Sequence, residues 1–93
     1  MNTIPNELKV LLASNCRNYN LFARRTLTYQ SDAADRVLMA EFRMTVETIA
    51  STLKMLGYEV EVDMETIESV SWYEKIITFV VINGETIFDE VTE

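Results

Sequence analysis

Histidine is absent from the 93-residue chain. Its absence excludes imidazole general acid–base catalysis and imidazole metal ligation. A single cysteine, Cys16, excludes an intramolecular disulfide and any Cys-rich zinc site. It also fits a reducing compartment. Two glycines are too few for a Gly-rich phosphate cradle. No apolar run approaches the roughly 18–20 residues needed to cross a membrane. Residues 1–9 have neither the basic region nor the apolar segment of a secretory leader. These absences point to a cytoplasmic protein with no membrane partner.

What remains is the composition of a folded protein: 48% hydrophobic and 25% charged. A chain this short forms one domain, residues 1–93. Basic residues are scarce, 8 against 15 acids, for a net charge of −7. That deficit is uneven. Residues 1–56 hold seven basic and five acidic groups, a balance of +2. Residues 57–93 hold ten acids against Lys75 alone, a balance of −9. Charge separated between halves bears on partners rather than on fold.

Residues 5–28 read as a helix. Leu8, Leu12, Cys16, Tyr19, Ala23 and Leu27 recur at steps of three and four, one helical face. Pro5 suits a first turn. Ser14, Asn15, Asn18 and Asn20 are poor helix formers and mark a place for a break or kink. Residues 32–56 read as a second helix, capped by Ser31 or Asp32 and ended by Gly57. Its expected core face is Leu38, Phe42, Val46, Ile49, Leu53 and Leu56. The short link at 28–31 predicts an antiparallel helical hairpin.

The period then changes to two. Residues 58–64 alternate Tyr58, Val60, Val62 and Met64 with Glu59, Glu61 and Asp63, a half-buried strand with an acidic outer face. Residues 66–71 are ambiguous. Residues 72–82 form a second strand, apolar on both faces over 76–82 and therefore central. Asn83-Gly84 is a strong hairpin signal, because a type I′ turn needs positive φ twice. A two-residue turn predicts Val80 opposite Ile87 and Phe79 opposite Phe88. Residues 85–91 return as the third strand, and a tail with Asp89, Glu90 and Glu93 is expected to fray. The fold class is α+β: an antiparallel helical hairpin followed by a three-stranded antiparallel β-meander, α-α-β-β-β. The second face of the central strand needs cover, from both helices or from a second copy in a homodimer.

The candidate partner-binding residues are Glu59, Glu61 and Asp63, continued by Glu65 and Glu68. Trp72 and Tyr73 accompany them as aromatic anchors at the start of the second strand. Alternate residues of a strand stand roughly 6.6–7 Å apart on one face, on the order of the phosphate spacing along a nucleic-acid strand. Such a row presents charge to a protein that normally grips nucleic acid. The plainer reading is a solvated face that blocks edge pairing.

Carboxylates on an extended segment point outward in parallel, so they do not converge on a cation as calcium loops do; no metal and no cofactor is expected. Paired-carboxylate catalysis needs two acids in a cleft, and only Glu41, Glu47 and Glu74 stand near an apolar background. The chain is therefore not expected to be an enzyme. Arg17, Arg24 and Arg25, with Tyr19 or Tyr29 for stacking, form a weak phosphate-contacting stripe. The net charge opposes direct nucleic-acid binding. Cys16, without a histidine to activate it, reads as a small buried hydrophobe.

In size, charge and shortage of catalytic residue types the chain resembles the small acidic proteins that phages encode to disable host defences, anti-CRISPR and DNA-mimic proteins among them. That resemblance rests on composition and assigns no residue a role. It implies a non-enzymatic inhibitor that occupies the basic, nucleic-acid-binding surface of a host protein. The alternative is a self-associating assembly module, joined through the apolar face of 76–82 or the helical hairpin, whose acids only supply solubility.

Overall fold

The computed structural model describes residues 3–28, 32–70 and 72–92. Tyr29, Ser31 and Glu93, all named above, lie outside them, as does residue 71 of the ambiguous stretch. The order of elements is helix, helix, strand, strand, strand: an α+β fold with one antiparallel sheet.

Helix α1 runs Asn6–Arg25 without a break. Pro5 lies just outside it as the N-cap, at φ −55° and ψ 140°. Its carbonyl accepts from the backbone N–H groups of Leu8 and Lys9. The expected kink is absent because the polar side chains find partners that leave the helix intact. Asn15 Nδ2 and Ser14 Oγ both donate to the Leu11 carbonyl. Asn20 turns into the core. The helix stops three residues short of the expected end. Hydroxyls of Thr26 and Thr28 bond the carbonyls of Ala23 and Arg25 there, competing with the helical ladder.

Helix α2 spans Ala33–Met55. Asp32 caps it in a reciprocal box: its carboxylate accepts from the Asp35 N–H at 3.0 Å, and Asp35 accepts from the Asp32 N–H at 3.3 Å. Gly57 (φ 95°) ends it. The Tyr58 N–H bonds the Leu53 carbonyl and the Gly57 N–H bonds the Lys54 carbonyl, so the last carbonyls are satisfied in a Schellman motif.

The helices form the antiparallel hairpin. Phe22 stacks on Phe42 at 5.7 Å, and Arg25 pairs with Asp35 at the turn. Leu12, Cys16, Tyr19 and Ala23 of α1 are fully buried, and Val46 and Leu53 of α2 join them. The expected α2 stripe is too long, since Leu38 and Leu56 at its two ends are exposed. The reason is position: α2 packs along α1 and reaches the sheet only marginally, so the ends of its stripe face no element.

Strands β1 (Val60–Glu68), β2 (Tyr73–Ile82) and β3 (Glu85–Asp89) form a meander in that order. β1 continues four residues past its expected end, taking in Thr66 and Ile67 from the ambiguous stretch. The β2–β3 turn has Asn83 at φ 49° and Gly84 at φ 80°, as a type I′ turn requires. The expected pairing beyond it is shifted by one. A bulge opposite the Val80–Val81 step leaves Ile87 extra, setting Val80 opposite Phe88 and Phe79 opposite Asp89. A second irregularity falls at Asp63/Met64, where Thr78 of β2 is the extra residue.

The tail does not fray at Glu90. A 3-10 turn over Glu90–Thr92 follows β3, and Glu90 is held by Arg24 at 2.6 Å and by Asn20 Nδ2 at 2.6 Å.

Ile76, Ile77, Val80, Ile82 and Phe88 complete the core. Ile76 and Ile77 are neighbours on a strand and so point to opposite faces, yet both are buried. The core therefore wraps both sides of β2 at that point. Nearer the turn, Phe79 and Val81 are half-buried and take no part in the core. Only these two of the apolar segment remain for contact with another molecule.

A carboxylate edge and an aromatic corner

β1 is an outer strand of the sheet, so its side chains alternate between the core and the opposite face. Val60, Val62 and Met64 pack against the core cluster. Glu59, Glu61, Asp63 and Glu65 therefore share the outer face, and all four are exposed. Six residue steps at about 3.3 Å each make this row roughly 20 Å long. Beside it in the sheet stand Val81, opposite Glu61, and Phe79, opposite Asp63.

Asp63 accepts a hydrogen bond from Thr78 Oγ1 at 2.6 Å, so the bulge residue fixes the middle carboxylate of the row. At one end the Glu59 backbone is clamped to the turn. Its N–H donates to Asn83 Oδ1 and its carbonyl accepts from the Asn83 N–H. Among the described residues no cation pairs with Glu59, Glu61, Asp63, Glu65 or Glu68. Lys9, Arg24, Arg25 and Arg43 are engaged elsewhere, with Glu85, Glu90, Asp35 and Glu47.

Glu68 does not continue the row. Its parity is that of Met64 and Thr66, and it stands opposite Tyr73 at the far end of the sheet. It belongs with the aromatic corner. There Trp72 and Tyr73 stack at 6.5 Å and are both exposed, 48% and 64%. The Arg36 guanidinium of α2 lies 5.5 Å above the Trp72 ring, and Trp72 Nε1 donates to Glu74 at 3.2 Å. Three residue steps, roughly 10 Å, separate Glu68 from Glu65 at the near end of the row. The seven sequence candidates thus form a carboxylate row and, beyond Glu65, an adjoining aromatic corner along one strip.

The basic stripe on α1 is occupied within the fold. Arg24 pairs with Glu90 and Arg25 with Asp35. Tyr19 is buried and its hydroxyl donates to the Lys75 carbonyl at 2.7 Å, so it offers no stacking face. Burial also raises its pKa above the ordinary value. Cys16 is fully buried, and burial pushes its thiol pKa up to about 12. A thiol so protonated is a poor nucleophile. Among the described residues no three acids or cysteines converge as metal ligands. Glu74 is a structural acceptor, for Thr26 Oγ1 and Trp72 Nε1 at the start of β2.

Sequence reasoning missed the role of Asn20. Its side chain accepts from the Ile77 N–H at 2.7 Å and donates to the Ile77 carbonyl at 2.8 Å. The last β2–β3 pair is Phe79–Asp89, so Asn20 bonds the β2 backbone just beyond the point where β3 ends. One side chain thus completes the ladder. The signal was present: Asn20 follows Cys16 by four residues and precedes Ala23 by three, which places it on the core face.

No family model matches the chain, and no curated protein and no solved structure is significantly similar to it.

Proposed function

We propose that this protein is a non-enzymatic binding module that applies its acidic edge strand to a basic surface of a partner protein. The observation that carries the reading is the row Glu59, Glu61, Asp63 and Glu65: exposed, in register, and without cations among the described residues. A row of like charges left unneutralised is held apart by the strand, so a basic partner gains its full attraction without first breaking internal pairs. The carboxylate spacing matches a nucleic-acid backbone in scale, which favours a nucleic-acid-binding protein as target. An inhibitor of the phage-encoded, nucleic-acid-mimic kind works in this way. The buried, protonated Cys16 supports binding over nucleophilic chemistry.

The test is capture of partners from a bacterial lysate, eluted with rising salt and identified by mass spectrometry. It is repeated with charge reversal at Glu59, Glu61 and Asp63. A basic nucleic-acid-binding protein released at moderate salt, and lost with the reversed variant, is the expected outcome. Retention by the reversed variant refutes the acidic row as the site.

One observation favours self-association as a second reading. An open groove of about 440 Å³ runs between the helices, lined by Leu11, Met44 and Ile49 with Glu41, Thr45 and Thr48. Val37 and Met55 extend the exposed apolar surface of α2. Light-scattering mass at high concentration decides it, since a strict monomer refutes it.

A further inference from the structure

The outer edge of β1 carries more than charge. Glu59 bonds inward to the β2–β3 turn, its carbonyl accepting from the Asn83 N–H and its N–H donating to Asn83 Oδ1. In an antiparallel ladder hydrogen-bonded and non-bonded pairs alternate. Glu61 and Asp63 therefore bond inward to Val81 and Phe79, while Val60 and Val62 direct their N–H and C=O groups away from the sheet. Met64 does the same, because its partner Ile77 bonds Asn20 rather than β1. Among the described residues no backbone or side-chain group bonds to these three residues from the outside.

We infer that β1 accepts an added strand: an extended segment of a partner in which basic and apolar side chains alternate. This rests on the reading of the acidic row given above and specifies what binds it. Residues directly opposite across a ladder share a face. A strand laid on β1 would place one set of side chains beside Glu61, Asp63 and Glu65, where positive charge is favoured. It would place the other set beside Val60, Val62 and Met64, which are half-buried and continue the core face. The same charges select against the obvious competitor, a second copy. Two β1 edges joined antiparallel would set one acidic row beside the other on a single face, and like charges across a ladder destabilise it. Backbone bonds supply affinity and the alternating pattern supplies specificity, the division of labour in strand addition.

The experiment titrates the isotope-labelled protein with two synthetic peptides of alternating lysine and valine. One is N-methylated on its valine amides, the other on its lysine amides. Both keep their charge, but each has lost the donors of one edge. One peptide should bind about tenfold more weakly than the other, because two or three backbone bonds are lost. The weaker is the valine-methylated one for an antiparallel added strand and the lysine-methylated one for a parallel strand. Amide exchange at Val60, Val62 and Met64 should slow on binding, with Glu61 and Asp63 unchanged because β2 already protects them. Equal affinity of the two peptides, or binding that leaves those three amides unprotected, overturns strand addition and leaves a purely electrostatic acidic face standing. Failure of both peptides to bind also overturns it. The charge-reversed variant against a captured basic protein tests the acidic-face reading independently.

Discussion

Replacing Asn20 by alanine should destabilise the fold more than any other polar substitution on α1. The side chain is 1% exposed and makes three hydrogen bonds, two to the Ile77 backbone and one to Glu90. Alanine leaves the Ile77 N–H and C=O without partners in a site where Ile77 is itself 2% exposed. A buried polar group left unsatisfied costs about 1–3 kcal/mol, and two such groups give a loss of about 3 kcal/mol. A domain of this size has about 5–15 kcal/mol in total, so the loss is large but survivable. Urea denaturation followed by circular dichroism measures it. With a slope near 1.5 kcal/mol/M the midpoint should fall by about 2 M. Asn18→Ala, at an exposed position of the same helix, is the control and should change stability by less than about 0.5 kcal/mol. Asn20→Asp sharpens the test. It keeps the acceptor for the Ile77 N–H, removes the donor to the carbonyl and sets a carboxylate against Glu90. At neutral pH it should be at least as damaging as alanine, with partial recovery near pH 4, where carboxylates take up protons. A loss below about 0.5 kcal/mol for Asn20→Ala would refute the account of Asn20 as the residue that completes the ladder.

Asp32→Ala removes the cap of α2 and should cost about 1 kcal/mol in the same denaturation assay. Gly84→Ala forces a side chain into φ 80°; nothing lies within 4 Å of the added carbon, so the expected loss of about 1 kcal/mol is purely conformational. Cys16 makes stability fall at alkaline pH. Its folded-state pKa of about 12 lies above the ordinary thiol value, so its contribution is intact below that value and is lost as pH rises toward 12. Between about pH 9 and 10.5 the wild type should lose about 2 kcal/mol more than Cys16→Ala, at 1.36 kcal/mol per pH unit.

Much of the fold was legible because it follows from local pattern. The stripe Leu12, Cys16, Tyr19 and Ala23 was read from spacing and is buried as expected. Asn83-Gly84 gave the turn, since few residue pairs accept positive φ twice. The row Glu59, Glu61 and Asp63 was read from alternation and shares one exposed face. What local pattern cannot see is which element lies opposite. Leu38 and Leu56 have the spacing of core residues but face none. Glu68 looked like the next member of an acidic run, and the parity of the strand sends it to the other face. Glu90 looked like a loose tail, yet Arg24 and Asn20 meet it across the fold.

The sequence by itself determined the type and order of the elements, the caps and turn between them, and a strand with one acidic face. These depend on backbone preference and on periodicities of two and 3.6 residues, which neighbours along the chain carry. Only the tertiary structure decided that the outer edge of β1 is left uncovered, that bulges shift the β2 register, and that Asn20 completes the sheet. Those outcomes depend on residues up to 70 positions apart meeting in space. An amide that is a poor helix former in isolation becomes the best available partner for a strand backbone once the core has closed around it.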